Sequence, residues 1–223
     1  MLENMPKDLK TKAYVLRRTN YSEADRILNL ITPVGKISVM AKGVRKLKSK
    51  LAGGIEMFSL INVNLHFGRG EMAILTSAQL LDFCSEILKE LPRMELASEI
   101  LKEVNKASDS VDSHEFFEIV DECLRALNEG TNIGLVRVWF FLNLARVMGE
   151  EINLYRDADG NKLMVDGKYS WNPHEEVFYF NKNGEMDADV IKVLRLMVSS
   201  KLSVVGRIKN IEKYVPLIQK VIK

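Results

Sequence analysis

Lys36-Ile37-Ser38-Val39-Met40-Ala41-Lys42-Gly43-Val44-Arg45-Lys46-Leu47-Lys48-Ser49-Lys50 is the stretch in which two signals meet. Its first half alternates. Ile37, Val39 and Ala41 face one way and Lys36, Ser38, Met40 and Lys42 the other, the period-2 pattern of a half-buried strand. Its second half adds Arg45, Lys46, Lys48 and Lys50, with no carboxylate before Glu56. Gly43 at the start and Gly53-Gly54 at the end predict a mobile loop that leaves one strand and reaches the next.

Upstream, Thr11–Leu16 and Arg26–Ile31 read as strands, and Thr32-Pro33-Val34-Gly35 as a turn with Pro at its second position and Gly at its fourth. Downstream, Ile61, Val63, Leu65 and Phe67 alternate with Asn62, Asn64 and His66, and Gly68-Arg69-Gly70 connects tightly to Met72–Thr76. Five short strands in so little chain predict a small closed barrel, because closure removes the unpaired edges.

From Phe83 the period changes to that of a helix. Ile87, Leu88, Leu91, Leu96, Ile100, Leu101 and Val104 recur at helical spacing. Asp112 and Glu115 read as a capping box near Ser113, ahead of Phe116, Ile119, Val120, Cys123, Leu124 and Leu127. Leu135–Met148 is apolar nearly all round and predicts a central helix. Asn153–Phe180 reads as a β insertion with hairpin turns at Asp159-Gly160 and Asp166-Gly167. Helix resumes at Val190, and Pro216 should bend or restart a last helix through Ile208, Ile211, Val215 and Ile218. The expected class is α+β: a five-stranded barrel over 1–82, then a mostly helical domain over 83–223 with an insertion at about 153–181.

Residues 1–82 hold 13 Lys/Arg against 7 Asp/Glu, a net +6, which leaves −4 for the other 141 of the chain's +2 total. That asymmetry points to a polyanion for the barrel. Within it, Arg17, Arg18, Arg26 and Arg69 join the loop cations. Such cations suit a phosphate backbone, since each neutralised phosphate releases counterions. A solvated surface loop is the alternative, and charge alone does not choose DNA over RNA. Stacking rings are few, and Tyr21 in the polar turn Asn20-Tyr21-Ser22-Glu23 is the best candidate for an exposed one, against a reading as a barrel-end cap.

Catalysis and metal binding find little support. Asp157-Ala158-Asp159-Gly160-Asn161 has its glycine at the fourth position of a calcium loop instead of the sixth, and no glutamate closes it. His66, His114 and His174 lack ligand spacing, and no phosphate loop, nucleophile elbow or HExxH motif occurs. The two cysteines, Cys84 and Cys123, suggest a reducing compartment, and no apolar run reaches the ~20 residues of a bilayer span. A cytoplasmic, non-enzymatic protein is expected. Arg137 and Arg146 interrupt the central apolar helix, either snorkelling and pairing or rimming a groove for an acidic, apolar peptide end. Pattern favours the first of these.

Ala13-Tyr14-Val15-Leu16, Tyr21-Ser22-Glu23-Ala24-Asp25, Gly35-Lys36-Ile37, Ala41-Lys42-Gly43-Val44-Arg45-Lys46, Phe58 and Phe67-Gly68-Arg69-Gly70-Glu71 follow in an order and spacing that resembles the amino-terminal domain of the RecO family of bacterial recombination mediators. Leu135-Val136-Arg137 and the Met148-Gly149 to Leu154 stretch extend the resemblance more weakly. It implies an oligonucleotide-binding (OB) barrel, DNA repair and recombination, and a nucleoid-associated place. It also implies binding of single- and double-stranded DNA, annealing of complementary strands, and replacement of single-strand-binding protein by recombinase. The implied partners are RecR and the acidic carboxy-terminal tail of single-strand-binding protein. By position, Lys36, Lys42, Arg45 and Lys46 would contact DNA, and Arg137 would lie near the tail-binding groove. Many relatives carry a four-cysteine zinc site in the insertion. Here Asp157 stands at the first such position and no cysteine follows Cys123, so no zinc or other cofactor is expected. An RNA-binding OB protein and a pure interaction adaptor remain the alternatives.

Overall fold

The computed structural model describes residues 6–49, 51–68 and 72–222. The chain divides into two compact units, 1–128 and 129–223. In the first, β1 (Asp8–Asn20), β2 (Arg26–Thr32), β3 (Gly35–Ala41), β4 (Ser59–His66) and β5 (Ala73–Phe83) close into a barrel in the order β1-β2-β3-β5-β4. The α+β class and the five-stranded OB-type barrel are as the sequence leads one to expect. Val15, Leu28, Leu30, Val39, Ile61, Val63 and Leu65 fill its interior.

Two strands outrun their alternation. β1 pairs with β4 over Asp8–Tyr14 and with β2 over Tyr14–Asn20, so a different neighbour satisfies its backbone at each end. β5 continues to Phe83, although most of Thr76–Phe83 is exposed, because β4 pairs with it throughout. Ladder bonds extend both strands where burial does not.

Closure is thin at one seam. β3 and β5 share only the pairs Val39↔Ala73 and Met40↔Ile74. Beyond them the β3–β4 connection covers the gap. Val44 and Ile55 are buried in the barrel core, and Leu51 packs against it. Gly54 approaches β5 so closely that a Cβ would stand 2.6 Å from the Ala78 carbonyl oxygen. The expected mobile loop is therefore a folded plug, because its apolar residues complete the core.

The first unit does not end with the barrel. A 3-10 turn (Ser85–Lys89) precedes α1 (Leu91–Ala107), which starts with Pro92 in its first turn, so the helix begins later than its apolar period. α2 (Glu115–Asn128) is entered through the Ser113 hydroxyl, which accepts the Glu115 N–H at 3.2 Å. Both helices bond to the barrel. The Tyr14 hydroxyl donates to Asp121 Oδ1 at 2.6 Å, and Arg125 Nε donates to the same carboxylate at 3.0 Å. Asn29 Nδ2 donates to Asn105 Oδ1 at 2.8 Å. β5 ends at Phe83, and the compact unit runs on through α2.

In the second unit α3 (Ile133–Met148) is capped by Asn132, whose Oδ1 accepts the Leu135 N–H, and by Gly149 at φ +77°. It packs against α4 (Ala188–Ser199), where buried Asn143 donates to the carbonyls of Trp139 and Met197 at 2.9 and 3.0 Å. The insertion is a hairpin of β6 (Tyr169–Asn172) and β7 (Val177–Phe180). Its turn is residues 173–176. The two Asp-Gly pairs lie earlier: Asp157 Oδ1 accepts the N–H groups of Asp159 and Asn161, which explains that motif as a side-chain-stabilised turn. Past α4 comes a short α5 (Leu202–Val205), and the expected last helix is a 3-10 turn (Ile211–Tyr214) that restarts as α6 (Val215–Ile218). Pro216 sits in the first turn of α6, where its missing N–H costs nothing. Among the described residues no helix is long and apolar enough to cross a membrane.

Tyr14→Phe should destabilise the protein by roughly 1.5–3 kcal/mol, the range for a hydrogen bond to a charged group, read as a lower urea midpoint. Burial first, and the Asp121 bond second, hold the Tyr14 hydroxyl well above the ordinary phenol range. The unfolded state therefore loses this proton first. The contribution is complete below about pH 10 and shrinks as pH rises beyond it, so wild type should lose stability more steeply there than Tyr14→Phe.

Candidate nucleic-acid interface

The β1–β2 turn and the β3–β4 loop are tied together at one end of the barrel. The Tyr21 N–H donates to the Asp25 carbonyl at 3.1 Å and closes the turn. Asp25 Oδ1 accepts the Gly43 N–H at 2.7 Å, the Arg45 N–H donates to the Ala24 carbonyl at 3.0 Å, and Arg45 Nη1 donates to the Ser22 carbonyl at 2.7 Å. The loop then continues as two turns, Lys46 N–H to the Gly43 carbonyl (3.2 Å) and Ser49 N–H to the Lys46 carbonyl (2.9 Å). These bonds were not legible in the sequence, since Asp25 and Gly43 are 18 residues apart.

On this frame Lys42, Arg45, Lys46 and Lys48 are exposed. Arg45 spends one of its five N–H donors on Ser22. Lys42, Lys46 and Lys48 make no ion pair among the described residues. Tyr21 is 63 % exposed on the adjoining turn, and Arg26, half-buried, donates from Nε to Asn20 Oδ1 at 3.0 Å at its base. Arg17 is exposed on β1 beside the bulge that precedes the turn.

Lys36 stands apart from them. Its ammonium donates to the Asn105 carbonyl and to Asp109 Oδ1, both at 2.6 Å, and its side chain is only 11 % exposed. It is a strut between β3 and α1 and not part of the loop cluster. Arg18 is likewise paired, with Glu56 at 3.0 Å. Tyr14 is buried and bonded, so it offers no stacking face. Lys50 and Arg69 lie outside the described residues.

In the second unit Arg137 and Arg146 are half-buried on α3, with the Arg137 guanidinium 5.9 Å from the centroid of the Phe141 ring. Among the described residues no three His, Cys, Asp or Glu side chains gather as metal ligands. In the insertion Tyr169 packs against Phe180 and Trp171 against Phe178, with the Tyr169 hydroxyl accepting the Met164 N–H at 2.8 Å. Cys84 and Cys123 are free and buried, and burial, reinforced by Asp82, pushes the Cys84 thiol up to about 11.

Residues 5–84, the barrel and its loops, match the family model described as Recombination protein O N terminal. The DNA repair protein RecO of Dehalococcoides mccartyi (strain CBDB1) is 30 % identical over 212 residues, 92 % of this chain and 83 % of that protein. The chain belongs to the RecO family. The DNA repair protein RecO of Roseiflexus sp. (strain RS-1) is 32 % identical over 165 residues, 74 % of this chain but 58 % of the relative. That of Listeria monocytogenes serotype 4b (strain F2365) is 25 % identical over 210 residues, 89 % of this chain and 80 % of the relative. The chain thus aligns with less than two thirds of the Roseiflexus RecO, and similarity to the RecO proteins is spread over both units.

Gly54→Ala tests whether the plug holds the loop. A Cβ driven against the Ala78 backbone must displace the loop or β5, and overpacking of this kind costs about 1–3 kcal/mol. The urea midpoint should fall with the m-value unchanged.

Proposed function

We propose that the β1–β2 turn and β3–β4 loop bind the sugar-phosphate backbone of DNA, and that the protein is a non-catalytic recombination mediator. On this reading it anneals complementary strands and assists the replacement of single-strand-binding protein by recombinase. One observation carries the proposal: Lys42, Lys46 and Lys48 are exposed, and among the described residues make no ion pair, on a loop anchored by its own barrel. Cations held by carboxylates would gain little from a phosphate. These need shed only water and counterions, and their gain is entropic through counterion release.

The mechanism is electrostatic. Lys42, Arg45, Lys46 and Lys48 hold one strand by its phosphates, Arg17 and Arg26 extend the positive field along β1 and β2, and Tyr21 offers a ring for stacking. Neutralised phosphates repel an incoming complementary strand less, which favours annealing. The partners on this reading are RecR and the acidic carboxy-terminal tail of single-strand-binding protein, with Arg137 and Arg146 the cations that would meet that tail. Membership of the RecO family supports these assignments. The two free cysteines are buried, which fits a structural role, and no zinc or other cofactor is invoked.

With about four phosphate contacts, log affinity for single-stranded DNA should fall with log salt at a slope near −3. Lys46→Glu/Lys48→Glu should weaken binding more than tenfold and lower the slope toward about −1.4, as two contacts are lost. Annealing of bare and protein-coated strands should fall with it. Fluorescence anisotropy across a salt series and an annealing assay check both. Salt-independent binding overturns the mechanism, and strong preference for RNA of the same sequence overturns the substrate.

A further inference from the structure

The β3–β4 loop sorts its apolar residues in two directions. Val44 (3 %) and Ile55 (1 %) are buried in the barrel, and Leu51 packs against them. Leu47 is 106 % exposed, more than any other large apolar side chain among the described residues. A single exposed leucine is ordinary on a protein surface. This one differs in how it is presented. It sits within the turn closed by Ser49 N–H and the Lys46 carbonyl, on a loop anchored through Asp25, Ala24 and Ser22, so the backbone holds it at the tip. Its neighbours on both sides, Lys46 and Lys48, are exposed cations that make no ion pair among the described residues.

An apolar side chain between two free cations matches one ligand well. A nucleic-acid strand places an apolar base stack directly beside a row of phosphates. Lysines seated on phosphates would carry the leucine to the bases, where it finds the apolar contact it lacks in the free protein. Leucine is among the residues that enter base steps and unstack them. Tyr21, exposed on the adjoining turn, offers a face for a base so released.

We propose that Leu47 is a wedge that enters a base step of the bound strand and unstacks it, with Lys46 and Lys48 positioning it from the flanking phosphates. The proposal rests on the DNA-binding reading above and adds to it that the loop touches bases. Unstacked bases are free to pair with a complementary strand, so the wedge would favour annealing beyond charge screening alone. A wedge of this kind reads no sequence, because any base step can admit it.

The test uses a single-stranded oligonucleotide carrying one 2-aminopurine, whose fluorescence rises when it unstacks. Readings are taken at saturating protein in low salt for wild type, Leu47→Ala, Leu47→Phe and Lys46→Glu/Lys48→Glu. Leu47 touches no core, so its variants should fold as wild type does. Leu47→Ala should bind within about threefold of wild type with the same salt slope, yet lose at least half of the fluorescence rise; Leu47→Phe should keep it. If Leu47→Ala keeps the full rise while the double glutamate variant loses binding, the wedge is wrong and the phosphate grip stands. If the double glutamate variant binds as wild type does, the grip itself is wrong and the wedge falls with it.

Discussion

The barrel closes on two register pairs between β3 and β5, and that short seam constrains everything around it. Two ladder pairs do not seal a hydrophobic interior from water, so the chain between β3 and β4 must supply the missing wall. It does so with Val44, Leu51 and Ile55, and with Gly54 pressed against the Ala78 backbone. A segment pinned inward at both ends has no choice but to expose what lies between them. What lies between is Arg45, Lys46, Leu47 and Lys48. Closing the core and displaying the cations are one structural event, which is why a loop rich in lysine and glycine is ordered by hydrogen bonds here.

The helices α1 and α2 decide which positive charges join that display. Asp109 and the Asn105 carbonyl take Lys36 out of it, and Asp121 takes Tyr14 out of the supply of stacking rings. Burying these groups without partners would be costly, so the polar atoms on the outer side of β1, β2 and β3 meet polar atoms on the helices. The effect is a barrel with two differently used regions: one bonded to helices, the other, at the β1–β2 turn, left to water. The proposed strand contact occupies the second.

How much of this was legible depends on the range of the interaction. β2 and β3 were readable because alternate residues face core and solvent, and both lie close to their expected bounds. The far end of β5 was not, because Gln79–Phe83 are exposed and only pairing to β4 makes them a strand. The last helix was legible in part: +3/+4 spacing picks out Ile211, Val215 and Ile218, which are buried, and Pro216 restarts the helix at α6, but the 3-10 geometry of Ile211–Tyr214 has no signature in that spacing. Tyr21 was readable as exposed because a polar turn gives it nothing to cover.

Sequence by itself determined the fold class, the barrel's strand order of appearance, the concentration of positive charge in the first 82 residues and the family. These follow from local periodicity, composition and motif order, none of which needs distant residues. Which cations remain available was decided only by tertiary structure. Lys36 and Lys46 look alike in the chain, and the carboxylate that separates them lies 73 residues beyond Lys36. An ion pair depends on distance in space, and folding alone brings those two groups to 2.6 Å.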